Sequence, residues 1–211
     1  MATIVKEPFK STFIHIPKTG GNSITQWLVK NTKCMVTKRN QHATLNEVIH
    51  GKHNQGPQDV NDLGFTFCVV RNPWDYMVSW YTFKVALCKT YIDIVNKNPE
   101  LALRKKRKYN LEGNQAHLKY LEDLGFDGWV KKTGRKPQHY WAKDCDHVFK
   151  LENIHDDFKL IQEKANCFEP LETLNKTSER KKYKEYYTSQ ESIDIVAKKY
   201  SIDINSYGYD F

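Results

Sequence analysis

Thr12–Ile24, TFIHIPKTGGNSI, decides how the rest of the chain is read. Phe13, Ile14 and Ile16 form a short apolar run that stops at Pro17, the pattern of a buried strand running into a loop. Gly20 and Gly21 let the backbone turn with positive φ and approach a ligand closely. Asn22 and Ser23 are helix-capping residue types, and Ile24, Trp27 and Leu28 follow at the i, i+3, i+4 spacing of an amphipathic helix. Strand, glycine turn and helix start predict an anion cradle, where backbone N–H groups and the positive helix end converge and Lys18 adds a full charge. A glycine-containing strand-to-helix turn with no ligand is the alternative. The Walker pattern is not followed, because Lys18 precedes the glycines instead of following them. That order weighs against a kinase or ATPase while keeping a phosphate-like ligand.

A second junction has the same form. Phe65–Val70, FTFCVV, suits a strand buried on both faces of a parallel sheet, and Arg71-Asn72-Pro73-Trp74-Asp75 follows at once. Pro73 fits the first turn of a helix that Met77, Trp80, Tyr81 and Lys84 continue. Arg71 therefore falls at the carboxyl end of a strand, where ligands bind in open α/β sheets, and Ser79 stands two turns into the next helix. A guanidinium and a hydroxyl converging on one point suit a phosphate monoester. An ion pair closing the strand end is the plainer reading of Arg71. Between the junctions, Thr44-Leu45-Asn46-Glu47 has the form of a capping box, which places His42 just outside a helix N-terminus. That position disfavours imidazolium and leaves a neutral ring able to accept a proton; an ordinary surface histidine is the alternative.

Elsewhere the signals are coarser. Lys30–Gln41 reads as a polar surface connection, His50–Leu63 as a loop, Leu87–Tyr120 as mixed helix and loop, and Phe126–Lys132 as a short helix. PQHYWAKDC, ending at Cys145, either lines a cleft for an acceptor or puts Tyr140 and Trp141 into the core. His147–Leu151 reads as a strand, followed by a helix over Asn153–Ala165 with Phe158 and Ile161 inward. Thr188-Ser189-Gln190-Glu191 has the form of a second capping box, and the closing SYGYDF is expected to dock because exposing its rings is costly. No internal repeat or low-complexity linker appears. Residues 1–211 are expected to form one α/β domain, a P-loop-like three-layer arrangement with a central parallel sheet flanked by helices.

With 39% hydrophobic and 13% aromatic residues, the composition excludes a disordered chain. The opening MATIVKEPFKS lacks a leader-like apolar segment and no window resembles a membrane span, so a cytoplasmic location is expected. Five widely spaced cysteines without a CxxC pair suggest neither a disulfide framework nor a zinc site, and Cys68 reads as core. The net charge of +8 gathers at residues 104–108, 131–136 and 180–184. Such clusters attract polyanions or are simply solvated helix faces. No signature of sequence-reading nucleic-acid binding is present.

Taken in order, FIHIPKTGGNSI, QHATLNEV, FTFCVVRNPWDYMVSWY, FKLENIHDDF, LNKTSERKKYKEYY and the closing YSIDINSYGYDF resemble the small microbial members of sulfotransferase family 2, related to heparan sulfate 2-O- and 6-O-sulfotransferases. The resemblance implies an enzyme that moves a sulfuryl group from 3′-phosphoadenosine 5′-phosphosulfate to a hydroxyl of a carbohydrate, releasing 3′-phosphoadenosine 5′-phosphate. It assigns Pro17, Lys18, Thr19, Gly20, Gly21, Asn22 and Ser23 to the 5′-phosphosulfate, Arg71 and Ser79 to the 3′-phosphate, and the role of base to His42. Lys18 would stabilise the leaving group. Residues 175–178, NKTS, rank below these as a border to the adenine or phosphates. Asn22 stands where Thr is usual, and Tyr76 where Arg is common, so position 76 carries no role. No acidic residue after the loop is placed like a Walker B ligand, so metal-independent chemistry is expected. Two readings compete with this one: a P-loop-type nucleotide kinase, and a catalytically inactive module that binds polyanions.

Overall fold

The computed structural model describes residues 2–37, 42–51, 58–100, 110–174 and 180–211; the basic run at 104–108 and the NKTS stretch at 175–178 lie outside them. The chain divides into two compact units, one of Met1–Asn72, Lys136–Ser178 and Ile202–Asp210, the other of Pro73–Arg135, Glu179–Ser201 and Phe211.

The first unit is built on a five-stranded sheet: β1 (Ala2–Glu7), β2 (Ser11–Ile14), β3 (Lys33–Val36), β4 (Phe65–Val70) and β5 (His147–Lys150), in the order β3-β1-β2-β4-β5. β2, β4 and β5 pair in parallel, with Ile14 beside Cys68 and Val70 beside Lys150. β1 is antiparallel to both of its neighbours. The sheet is therefore mixed: the expected parallel pairing holds for β2, β4 and β5, while the pairings of β1 with β2 and with β3 are antiparallel. The cause is the short Pro8–Lys10 connection: a link of that length can close only an antiparallel hairpin, whereas a parallel return needs a crossover of a dozen residues or more. β3 was hidden in what reads as a surface connection. It is an edge strand whose residues stay largely exposed, and its three apolar residues, Cys34-Met35-Val36, are too short a run among lysines to stand out.

Alternation along the inner strands sends neighbouring side chains to opposite faces. Phe13, Phe67, Val69 and Phe149 pack on one side with Ile24, Trp27 and Leu28 of α1 (Gly21–Asn31), with Ile154 of α7 (Ile154–Asp157), Ile161 of α8 (Lys159–Ala165) and Phe158 between those two helices. Ile14, Ile16, Cys68 and Val70 pack on the other with Leu45 and Val48 of α2 (Leu45–Ile49) and with Trp141 of α6 (His139–Ala142). Both faces are covered, as the continuous apolar run in β4 requires. A short α3 (Val60–Leu63) lies inside the stretch read as loop.

In the second unit α4 (Pro73–Lys97) starts at its proline as expected and runs well past Leu87, and α5 (Leu111–Lys132) includes the short helix foreseen at Phe126. Gly125, at φ 62, kinks α5. α9 (Gln190–Lys199) is capped by Ser189, not by a box opened at Thr188, whose hydroxyl bonds Asp127 instead. Tyr76, Met77, Leu121, Val196 and Tyr200 are fully buried here, and the Tyr200 hydroxyl meets Met77 Sδ at 3.1 Å. The closing aromatics dock: Tyr207 and Tyr209 join the first unit's core, while Phe211 packs on Trp74, Tyr183 and Tyr187 in the second.

Candidate functional site

β2 ends at Pro17, and the chain reaches α1 through two residues in left-handed conformation, Lys18 at φ 68 and Gly20 at φ 79. Lys18 has a Cβ, so this backbone costs energy that the surroundings must supply. Two contacts supply it. The Thr19 hydroxyl donates to the Ile16 carbonyl at 3.0 Å, and Arg71 Nη1 donates to the Lys18 carbonyl at 3.2 Å. Gly21 needs no positive φ. It is glycine because the His15 ring lies against its Cα: an added Cβ would stand 2.3 Å from His15 Cδ2.

The helix begins at Gly21 with Gly20 as its cap and no side chain bonded there, so Asn22 and Ser23 sit inside the first turn instead of capping it. Ser23 Oγ accepts the Leu174 N–H at 2.9 Å, tying down the chain just before residue 175. Gly21 and Asn22 precede any intrahelical acceptor, so their N–H groups remain for an anion, with the positive end of α1 behind them. Pro17 and Thr19 are buried, Lys18 is half-buried, and Gly20 and Asn22 are exposed.

Arg71 stands at the end of β4, beside the end of β2. Because those strands are parallel neighbours, the two junctions open at the same sheet edge and the Arg71 guanidinium reaches the loop. Its backbone is clamped by Gln138, whose Oε1 accepts the Arg71 N–H at 2.8 Å and whose Nε2 donates to the Arg71 carbonyl at 2.7 Å. Gln138 is in turn fixed by Asp203 of α10 (Ser201–Tyr207), which accepts the N–H groups of Gln138 and His139 at 2.8 and 2.7 Å. Glu152 accepts the Asn72 N–H at 2.7 Å and the Tyr209 hydroxyl at 3.1 Å. Burial lowers the Arg71 guanidinium to about 10, opposed by the Glu152 carboxylate, and it stays charged at neutral pH. Ser79 is buried in the second turn of α4, within the second unit.

The expected capping box is present: Thr44 Oγ1 accepts from Glu47 N and Glu47 Oε2 accepts from Thr44 N. His42, two residues earlier, is held at both ends. Trp141 Nε1 donates to its carbonyl at 2.8 Å, and its Nδ1 lies 2.8 Å from the His15 carbonyl. A carbonyl can only accept, so Nδ1 carries the proton and the Nε2 lone pair is left to act as a base. Burial lowers the His42 pKa, partly offset by that bond, so the ring is neutral at pH 7. The His15 ring meets it edge-on, centroids 5.1 Å apart, and is itself held neutral by burial, with a pKa of about 3.

A cavity of about 510 Å³ opens beside α2, lined by Thr44, Leu45, Asn46, Tyr140, Lys143 and Asp144 among others. The segment PQHYWAKDC thus divides: Trp141 is core, and Tyr140, 36% exposed, faces the cavity. No local pattern marks Gln138, Asp203 or Glu152, whose value lies in what they bond across 50 residues or more. His15 did leave a trace, as a polar residue inside an apolar run.

A family model described as the sulfotransferase family matches residues 1–210, nearly the whole chain. The chain belongs to the sulfotransferase family. Membership makes it a transferase and bears out the resemblance to sulfotransferase family 2. No curated protein and no solved structure matches it. Among the described residues no three or more His, Cys, Asp or Glu side chains are grouped to hold a metal ion, and no helix is long and apolar enough to cross a membrane.

Proposed function

We propose that this sulfotransferase moves a sulfuryl group from 3′-phosphoadenosine 5′-phosphosulfate to a carbohydrate hydroxyl by in-line transfer. The observation that carries the reading is the hydrogen bond from Arg71 to the Lys18 carbonyl, which joins the two strand-end loops at one edge of the sheet. A donor with phosphates at both ends of its ribose needs two cationic contacts of this kind on neighbouring junctions. The Gly20–Ser23 turn and Lys18 would hold the 5′-phosphosulfate, in the manner of a P-loop-like cradle. An arginine has five N–H donors, so Arg71 can brace the loop and still bind the 3′-phosphate. Ser79 rests on the family resemblance alone.

In the reaction His42 Nε2 takes the proton of the acceptor hydroxyl as its oxygen attacks sulfur, a task suited to a neutral imidazole. Lys18 and the loop N–H groups stabilise the charge that builds on the bridging oxygen as the bond to the departing 3′-phosphoadenosine 5′-phosphate lengthens. The donor brings an activated leaving group, so positioning and neutralisation are what the protein must provide, and metal-independent transfer is proposed. The cavity beside α2, two residues from His42, supplies room for the acceptor.

The test is incubation with sulfur-35-labelled donor and a panel of glycans and metabolites, with wild type and Lys18→Ala. Labelled product that survives a chelator and falls by about two to three powers of ten in the variant is expected. Magnesium-dependent ATP turnover without sulfuryl transfer would replace this reading with the kinase one.

A further inference from the structure

The basic run at residues 131–136 is not used by the chemistry above, and in the second unit it borders a pocket of its own. The pocket encloses about 290 Å³ at the carboxyl end of α5, lined by His117, Tyr120, Trp129, Lys132, Thr133 and Arg135 among others. We propose that it is a binding site for one anionic unit of a saccharide, carrying sulfate or carboxylate, separate from the transfer chemistry.

Charge is the first argument. Among the described residues lining the pocket there is no Asp or Glu, while Lys132 and Arg135 supply two cations. Acidic side chains nearby are already engaged: Glu191 with Lys131 at 2.6 Å and Asp123 with Lys119 at 2.9 Å. A helix carboxyl end normally repels anions through its unpaired carbonyls. Here the carbonyls of Trp129, of the cap residue Thr133 and of Arg135 just beyond it are each engaged. Trp129 O accepts the Thr133 N–H at 3.0 Å, Thr133 O accepts from Lys199 Nζ, and Arg135 O accepts the Tyr200 hydroxyl at 3.2 Å.

Shape is the second. Lysine at a helix carboxyl end would be explained by the macrodipole alone, but an aromatic face beside it would not. Tyr120 is 46% exposed, with His117 stacked against it at 6.3 Å and Lys132 Nζ 5.9 Å over its ring. Arg135 Cζ lies over the Trp80 ring, 4.1 Å from its centroid, and its Nε is buried without a hydrogen-bond partner. A ring platform flanked by cations suits a sugar ring bearing an anion. Single-stranded nucleic acid needs a groove with successive aromatic platforms, whereas the exposed rings here, His117 and Tyr120, are stacked into one compact platform.

The test is calorimetric titration of the full chain at low salt with a heparin tetrasaccharide, and with cellotetraose as the uncharged counterpart. Binding of the first only is expected, with Lys132→Glu and Tyr120→Ala each weakening it by about tenfold or more. Both side chains are exposed, and unaltered thermal melting checks that the variants fold. Lys6→Ala, an exposed lysine of the first unit that lines neither pocket, should leave tetrasaccharide affinity unchanged. Binding of 3′-phosphoadenosine 5′-phosphate should survive all three, so failure here is separable from failure of the proposed transfer. The proposal is overturned if the tetrasaccharide does not bind, if it binds the Lys132 and Tyr120 variants as tightly as wild type, or if cellotetraose or a DNA oligonucleotide matches it at this site.

Discussion

Arg71 Nη1 donates to the carbonyl of Lys18 across 53 positions of sequence, so the residue read as a phosphate contact also braces the loop that carries the lysine. The two roles separate by experiment. Arg71→Ala should weaken 3′-phosphoadenosine 5′-phosphate by about ten- to a hundredfold, the scale of a charged hydrogen bond, while leaving adenosine 5′-phosphosulfate much less affected. Equal losses for both ligands, measured by calorimetry, would reduce Arg71 to a brace.

His42 should set the acid limb of the rate profile. Burial lowers its pKa from the ordinary 6.5, so the basic form persists to lower pH. Turnover should therefore rise with pH through a midpoint below 6.5 and then level off, and His42→Ala should lower it by about two to four powers of ten. A midpoint above 6.5, or a variant of near wild-type rate, would remove His42 as the base.

Gly21 and His15 should be coupled. Gly21→Ala puts a methyl group 2.3 Å from the His15 ring, and overpacking of this kind costs about 1–3 kcal/mol. In the double variant with His15→Ala the clash disappears, so denaturant titrations of the four proteins should give a non-additive cycle. Additive losses would mean that the loop moves aside at no cost.

His15 should also make the protein acid-sensitive. Its folded pKa of about 3 lies below the ordinary 6.5, so between those values the unfolded chain binds a proton that the folded one does not. Stability from this residue is complete above 6.5 and falls as the pH drops toward 3. The slope is about 1.4 kcal/mol per pH unit. His15→Gln should flatten the wild-type curve of unfolding free energy against pH by that amount in this range; parallel curves would contradict it.

The local features were legible because each is written in consecutive residues. The apolar run ending at Pro17, the α1 spacing of Ile24, Trp27 and Leu28, and the Thr44–Glu47 box all depend on neighbours within one turn or strand, and all are present. β1 and β3 were not legible. The first offers only Ile4 and Val5 as adjacent large apolar residues, and the second shows no burial pattern because it lies at an edge.

The sequence alone determined that a strand, a glycine turn and a helix would follow one another at residues 12–31, since propensity and periodicity act over a few bonds. Only the tertiary structure decided which residue of the loop is left-handed, why Gly21 has no side chain and which nitrogen of His42 carries its proton. Each depends on a partner far away in sequence: the Arg71 guanidinium for Lys18, and for His42 the His15 carbonyl. Such contacts come from the register of β2 on β4 and from chain crossings, which a linear pattern does not encode.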